Sequence, residues 1–590
     1  MDVFSPEEVE LLAKLEGYNR VETEPQATRE IVHLFGYLPL AVRIAGGLLR
    51  VRPRWSLESY LGRLRRECSR LGPGVLFSEV RASFMLSYNR LDKDEQRLFD
   101  ALGLLEAVDF TAFISAALRD VSVEDAEILL DALLDAQLVE TARGGASGQP
   151  RYRLHDLLRT FARERLARNE PESAQRAAHE RVLHAYLAVA QVAAAKLTPG
   201  ALPEVAERGA QSRQGSMSSL AEAEVGDPRV WFTVERDHLI ANVRQAHQRG
   251  FWELTWQLAV TLTDFFELRA RWYAWHETHE LALDAARRAG DRRGEALTLR
   301  QLARLHLERD EWDEAISRFN ESLAISQELG DRLCEARVWR GLGRAYRDQS
   351  RSVEAATYFQ RALAVFLELG DRRWEAATLR SLGRTYRDVG RSLEAIESLQ
   401  RSLEIFRDLG DPHGEARVLR NLGDLYRDEG RQDIAVEYLN NCRTIFRELD
   451  DLRWEARVIR SLGGVYREQG DLGKAVQSFE KARGILHKFG DQHGEARAIR
   501  GLGDTQRDRS DLDGAIEHYR QSLKLFNALD DLRWQARTLQ DLGELHRALG
   551  HHDEAMNCSG QALRMFREVG DEQATARIAD DLNDLGGSGP

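Results

Sequence analysis

No cysteine framework holds this chain together. Its 590 residues include four cysteines, Cys68, Cys334, Cys442 and Cys558, far apart and without a C-x-x-C pair. That excludes a disulfide scaffold and a thiolate zinc site, and makes a reducing cytoplasm the expected compartment. Excess basic charge is missing too. With 96 acidic against 83 basic side chains the formal net charge is −13. This argues against a protein whose main task is to coat nucleic acid or an anionic membrane, although a local basic face is compatible with either. Long apolar runs are lacking: the most apolar stretch, 182–195, is interrupted by His184 and Gln191 and is too short to span a bilayer. The opening residues, MDVFSPEEVE, are acidic, unlike a signal peptide. A soluble cytoplasmic protein is expected.

Apolar residues make up 43% and charged ones 30%, enough for a core. The charges are of mixed sign and regularly spaced, unlike those of a disordered chain. The regularity has a period of 40. Gly-Asp recurs at 290, 330, 370, 410, 490 and 570, and Asp-Asp replaces it at 450 and 530, which marks seven units from Gly290 to Val569. A typical unit reads GEARVLRNLGDLYRDEGRQDIAVEYLNNCRTIFRELD. It splits into two amphipathic helices joined by a short turn such as Glu429-Gly430-Arg431, with glycine ending the second helix at little steric cost. Leucine stands in the first helix of every unit, from Leu302 to Leu542, and glycine follows it from Gly343 to Gly543. Tyr346, Tyr386, Tyr426 and Tyr466 come three residues later, and an alanine, Ala315 to Ala555, thirteen after each leucine. Small residues admit close helix approach while Leu and Tyr fill the space between. The pattern resembles the tetratricopeptide repeat, although the repeat-ending proline is missing and the second helix is longer. The residue ahead of Glu-Ala (Gln-Ala in the last unit) alternates through Trp374, Gly414, Trp454, Gly494 and Trp534. We read this 80-residue super-period as duplication of repeat pairs, with little bearing on function.

A solenoid offers one obvious functional surface, the concave face lined by its first helices. Two positions before the leucine stand Arg300, Arg340, Arg380, Arg420, Arg460 and Arg500; five after it stand Arg347, Arg387, Arg427, Arg467, Arg507 and Arg547. Being seven apart, the two series share a helix face, directed away from the Leu/Tyr side. Such a ladder suits carboxylates or phosphates of a partner, since guanidinium pairs bidentately with both. The alternative is a self-paired face: an acid follows the second arginine in five units (Asp348, Asp388, Asp428, Glu468, Asp508). Both readings stand at this point.

The first third has a different character. Residues 6–35 read as short helices, followed by an apolar block around Leu38-Pro39-Leu40-Ala41. From Val80 to Leu166 come helices at Arg81–Tyr88, Lys93–Leu105 and Val123–Gln137, then strand-like runs Leu138–Ala142 and Arg151–Leu154 about a turn-rich Arg143–Pro150. That is the outline of a winged helix. Together with Tyr152-Arg153-Leu154-His155-Asp156-Leu157-Leu158-Arg159 and the bridge Val230–Asp291, this order resembles the NB-ARC class of STAND signalling ATPases, and within it bacterial AfsR-type regulators. The resemblance implies that the proline at Pro39 packs near an adenine and that the histidine at His155 reaches an ADP phosphate. Nucleotide binding also needs a Gly-rich phosphate loop. No G-x-x-x-x-G-K-[ST] occurs; the lone Gly-Lys pair, Gly473-Lys474, lies inside a repeat. The chain begins where the P-loop subdomain of the family would have ended, so no cofactor is expected for this chain alone, with ADP or ATP belonging to intact relatives.

Other chemistry finds little support. The winged-helix segment that would enter a DNA groove, Val123–Gln137, contains Glu124, Asp125, Glu127, Asp131 and Asp135 and no Lys or Arg, a repulsive surface for a polyanion. His276 and His279 lack the H-E-x-x-H spacing and a third ligand; His179 and His184 fall on nearly opposite helix faces; His551-His552 sits in a turn. No G-x-S-x-G is present. The expected fold is all-α dominated: a solenoid of seven 40-residue repeats (290–569) with a capping segment (570–590). Ahead of it come an ARC-like helical subdomain (1–75), a winged helix with a small β-wing (76–170) and a helical bridge (171–289) with a flexible loop at about 197–228. The expected function is non-enzymatic: a signal-transducing regulator, the sensor half of a STAND-type switch. It would bind an acidic protein or peptide through the repeat groove, or associate with a nucleotide-binding subunit, with no membrane and no nucleic acid. The alternatives are an AfsR-like transcriptional regulator, or an ADP-binding switch completed in trans.

Overall fold

A computed structural model describes residues 20–586 apart from 36–38, 72–77, 143–149, 198–220, 108, 223, 270, 310, 350, 530 and 570. The loop expected at 197–228 and the turn at 143–150 fall largely outside the described residues. Two units are present, one reaching to Gly294 and the other running on from Glu295.

The first unit opens with α1 (Arg20–Thr23), α2 (Pro25–Leu34), α3 (Pro39–Arg50), α4 (Leu57–Leu71) and α5 (Ser78–Tyr88). There follow α6 (Lys93–Leu102), β1 (Asp109–Phe110), α7 (Ala112–Arg119), α8 (Val123–Asp135), β2 (Glu140–Thr141) and β3 (Tyr152–Arg153). The strands form one antiparallel sheet in the order β1-β3-β2, with Asp109 opposite Arg153 and Thr141 opposite Tyr152. Helix α6 starts in a capping box between Asp92 and Glu95, and Ser122 caps α8 by accepting from the Asp125 N–H. Helix α7 and strand β1 are absent from the sequence pattern for a physical reason. In α7, Ala112, Phe113, Ile114, Ser115, Ala116 and Leu118 are all buried, so no polar stripe marks a helical period.

The unit continues through α9 (Asp156–Asn169), α10 (Glu172–Leu197), α11 (Pro228–Gln248), α12 (Trp252–Thr261), α13 (Thr263–Arg269) and α14 (Trp272–Ala289). A buried polar knot ties strand to helix. The Arg151 side chain donates to Asp109 (2.8 Å) and to Glu235, and Glu235 also bonds His238 at 2.8 Å.

The second unit is a run of helical hairpins: α15 (Arg292–Glu308) with α16 (Trp312–Leu329), α17 (Arg332–Asp348) with α18 (Ser352–Leu369), α19 (Arg372–Asp388) with α20 (Ser392–Asp408), and α21 (Pro412–Asp428) with α22 (Gln432–Glu448). The series goes on with α23 (Leu452–Glu468) and α24 (Leu472–Lys488), α25 (Gln492–Asp508) and α26 (Leu512–Ala528), α27 (Leu532–Ala548) and α28 (His552–Glu568), closed by α29 (Glu572–Gly586). The Gly-Asp dipeptide serves two helices at once. Gly330 takes a left-handed φ of 64° to end α16, and Asp331 then caps α17 by accepting from the Cys334 N–H at 3.0 Å. Leu422, Ala435 and Leu439 are fully buried between helices, each large side chain contributing roughly 1.5–3 kcal/mol. Trp312, at the start of the array, packs against the core of the last hairpin around Ala536, Ala562 and Phe566. Among the described residues no helix is long and apolar enough to cross a membrane.

Candidate functional site

First helices of successive hairpins touch one another, α17 with α19, α19 with α21, α21 with α23 and α23 with α25. They therefore line the inside of the curve, and the two arginine series project from them.

The series after the leucine is neutralised along the stack. Arg347 donates to Asp348 at 2.7 Å. Arg387 pairs with Asp388 (3.4 Å) and with Asp424 (3.9 Å) and Asp428 (3.6 Å) of the following repeat. Arg427 reaches Asp428 at 2.9 Å and Glu468 at 3.6 Å. Arg467 reaches Asp504 at 2.6 Å and Asp508 at 3.4 Å, and Arg507 lies 3.9 Å from Glu544. Arg547 is exposed at the end of the row.

The series before the leucine is placed differently. Arg300 is fully buried at one end, and Arg500 donates to Asp541 at 2.7 Å. Arg340 and Arg420 lie over tryptophan rings. Arg380 is 8% exposed, and Arg460 is half-buried; neither makes a hydrogen bond or an ion pair among the described residues.

Two further sets of arginines enter the groove that were not anticipated. One stands five before the leucine: Arg337, Arg417, Arg457, Arg497 and Arg537, interrupted by Ala377. Its signal was an i, i+3 spacing to the first series. The other is Arg304, Arg344 and Arg384, two after the leucine; the same position then changes to Asp424, Gly464, Asp504 and Glu544.

The alternating tryptophan turns out to organise these side chains, contrary to its reading as a mere relic of duplication. Trp454 stacks on Phe446 (5.5 Å between centroids) and meets His413 edge-on (5.8 Å). Around its ring stand the guanidinium carbons of Arg417, Arg420 and Arg457, at 5.1, 5.1 and 4.8 Å. Trp534 repeats the arrangement with Phe526, His493, Arg497, Arg500 and Arg537. Trp374 does so with Phe366, Arg337 and Arg340, because Ala377 stands where a third arginine would. Cation–π contact holds planar guanidiniums in place without neutralising them.

Like charge therefore accumulates at mid-groove. Burial, then the charges of Arg417, Arg340, Arg384 and Arg420, pulls Arg380 well below the usual arginine range. Arg384 is lowered likewise, first by Arg347 and then by burial. Burial with Arg420 and Arg457 brings Arg460 to about 10. Asp424 sits among them; burial opposes its ionisation, but Arg420, Arg387, Arg427 and Arg460 hold its carboxyl below the ordinary value. Further along, burial and the charge of Asp504 outweigh Arg500 and raise Asp541 to about 6. The groove thus has a cationic centre, while further along Asp504, Asp541 and Glu544 pair with the arginines.

In the first unit, His155 caps α9, its Nδ1 accepting from the Leu157 N–H at 3.3 Å. Burial lowers its pKa, with Asp156 and Glu140 opposing. Arg43 of α3 pairs with Glu140. Of Pro39 the structure describes only its place at the start of α3. His279 is a satisfied core histidine, 3.0 Å from both Thr263 Oγ1 and the Trp275 carbonyl. His179 is buried against Phe251 while His184 is exposed. Among the described residues no three His, Cys, Asp or Glu side chains gather as a metal site.

Comparison with known proteins agrees with this architecture. Residues 277–568 match the tetratricopeptide repeat in seven overlapping windows, from 277–328 to 494–568. The hairpins of the second unit are tetratricopeptide repeats. It is 33% identical over 311 residues to the regulatory protein AfsR of Streptomyces griseus, covering 52% of this chain and 31% of that one. With AfsR of Streptomyces coelicolor it shares 33% over 310 residues, or 50% and 29% of the two chains; it spans less than a third of either relative. A Signal Transduction ATPase with Numerous Domains (STAND) protein with a tetratricopeptide repeat sensor, from Pyrococcus horikoshii, is similar in fold, with a TM-score of 0.55 at 16% identity over 97% of this chain and 74% of that one.

Proposed function

We propose that this chain is the non-catalytic sensor part of an AfsR/STAND-type regulatory switch, acting in the cytoplasm, and that the inner face of its repeats captures an acidic segment of a protein partner. The observation that carries this reading is the row Arg380, Arg420 and Arg460. These are half-buried or buried guanidiniums without ion pairs among the described residues, on the face that a solenoid presents to its ligands. Arg340, held over Trp374, lies on the same face. Arg347, Arg387, Arg427, Arg467, Arg507 and Arg500, already matched by carboxylates, set the frame of the groove, and Arg300 closes it at one end.

The order α6-β1-α7-α8-β2-β3 supports a winged helix. Glu124, Asp125, Glu127, Asp131 and Asp135 are all exposed on α8, which favours a structural or regulatory module over a DNA reader. The family resemblance assigns Pro39 and His155 to a nucleotide, and three observations weigh against such a site in this chain alone. His155 Nδ1 is occupied as a helix cap, the neighbouring Arg43, which the resemblance does not assign, is paired with Glu140, and the sequence has no phosphate loop. Any ADP response would come from a P-loop subunit in trans.

The test is affinity capture from the source organism's extract with wild-type chain and with Arg380→Glu/Arg420→Glu/Arg460→Glu. The triple variant should keep its helical circular dichroism and lose the partner. Capture that survives unchanged contradicts the reading. Calorimetry with ADP on the chain alone should give no saturable heat.

A further inference from the structure

We infer that the Arg380–Arg384 pair at the centre of the groove is the seat of a dianionic phosphoryl group, carried either by the partner or by a small phosphate ester. The inference rests on the groove being a binding surface and specifies the chemistry at its middle.

Arg380 and Arg384 lie one turn apart on α19, on the same face. Arg380 is 8% exposed, yet neither side chain has a hydrogen bond or ion pair among the described residues. A buried guanidinium without a counterion is costly, and here its surroundings are more arginines. The charges acting most strongly on Arg380 are those of Arg417, Arg340, Arg384 and Arg420. Asp348 offsets Arg384 in part, but that carboxylate is already bonded to Arg347 at 2.7 Å and lies 3.7 Å from Arg344. The flanking cations cannot swing away freely. Arg340 is held over Trp374 at 4.7 Å, and Arg417 and Arg420 over Trp454 at 5.1 Å each.

Elsewhere on the same face the chain supplies an acid, directly bonded for Arg467 with Asp504 and Arg500 with Asp541, or close by, as Asp424 is to Arg420 and Arg460. The α19 pair is left for an anion from outside. A carboxylate brings one charge and two oxygens. A phosphoryl group brings nearly two charges and three oxygens, enough to accept bidentate pairs from two guanidiniums and still relieve their neighbours.

The experiment is calorimetry on the full chain at constant ionic strength. The probes are inorganic pyrophosphate, a phosphoserine peptide and the same peptide with glutamate in its place. Saturable binding of pyrophosphate or phosphoserine peptide is expected, with Arg380→Gln/Arg384→Gln weakening it at least tenfold. That variant should also melt at higher temperature without probe, because like-charge repulsion is relieved. Arg318→Gln, which removes a paired arginine of the second helix α16, should change probe affinity less than twofold. Tighter phosphoserine peptide identifies the partner as the source; tighter pyrophosphate identifies a small phosphate ester. Equal affinity in the double variant, equal affinity for the glutamate peptide, or no binding of either phosphate probe overturns the inference. Should the glutamine pair fail to fold, Arg380→Lys/Arg384→Lys decides: lost forks should weaken pyrophosphate several-fold, and unchanged affinity overturns the site. If the phosphate probes fail while partner capture still depends on Arg380, Arg420 and Arg460, only the phosphoryl seat falls.

Discussion

Arg467 of one repeat and Asp504 of the next meet at 2.6 Å, and the other oxygen of that carboxylate accepts from the Tyr519 hydroxyl at 2.7 Å. One contact thus links α23 to α25 and, through Tyr519, to α26. Cross-repeat pairing of this kind makes a solenoid cooperative, since each hairpin is stabilised chiefly by its neighbours.

The first prediction concerns that link. A double-mutant cycle of Arg467→Ala and Asp504→Ala should give a coupling energy of about 1–2 kcal/mol in urea unfolding, above the usual value for exposed pairs. Coupling near zero would mean that the ladder adds nothing to repeat stacking.

The capping aspartates give the second. Asp491 Oδ1 accepts from the Gly494 N–H at 2.9 Å, and Oδ2 accepts from Arg453 at 3.1 Å and Arg457 at 2.8 Å. Asp491→Ala should cost about 3 kcal/mol, combining a lost cap with a broken buried pair. Burial alone would raise its pKa; Arg457, the Gly494 N–H and Arg453 overcome that and hold it far below the ordinary 3.8. The folded chain then binds fewer protons here than the unfolded one. This contribution to stability is complete above the unfolded value and is lost as pH falls below it. Urea midpoints of wild type and Asp491→Ala should therefore converge in acid and separate at neutral pH.

Glycines supply a paired prediction of opposite sign. A Cβ on Gly423 would stand 2.7 Å from Leu439 Cγ, whereas one on Gly484 of α24 would meet nothing within 4 Å. Gly423→Ala should destabilise by about 1–3 kcal/mol through overpacking. Gly484→Ala should stabilise by about 0.5–1 kcal/mol by restricting the unfolded chain. Thermal melts of the two variants decide it.

The polar knot of the first unit gives a fourth. Arg151→Met would leave the Glu235 carboxylate buried beside His238 without its arginine, and should cost about 3–5 kcal/mol in urea unfolding. Burial works against ionised Glu235, but His238 and Arg151 hold its pKa below the usual range. The knot should therefore weaken as pH falls through the carboxylate range, and wild type should lose more stability in acid than Arg151→Met does.

The period, the helical hairpins and the Leu-Gly-Tyr packing were legible in the sequence because each is local and recurs every 40 residues. Gly330 and Asp331 were visible as a dipeptide, but the cap made by Asp331 shows only where one helix ends against the next. Arg347 and Asp348 could be paired by adjacency. That Arg387 would choose Asp424 and Asp428 could not, because the choice depends on how repeats stack. Trp454 carried no chemical signal in the sequence; its arginines come from two repeats, and only folding assembles them. Helix α7 escaped because burial on every side erased its period. Arg384 escaped because its position changes to Asp424 one repeat later and so breaks the pattern.

Hydrogen–deuterium exchange of the full chain, with and without its captured ligand, tests the central claim most directly. Protection should concentrate in the first helices from α17 to α25, strongest in α19 and α21. Protection confined to the second helices, or to residues 20–169, would contradict it.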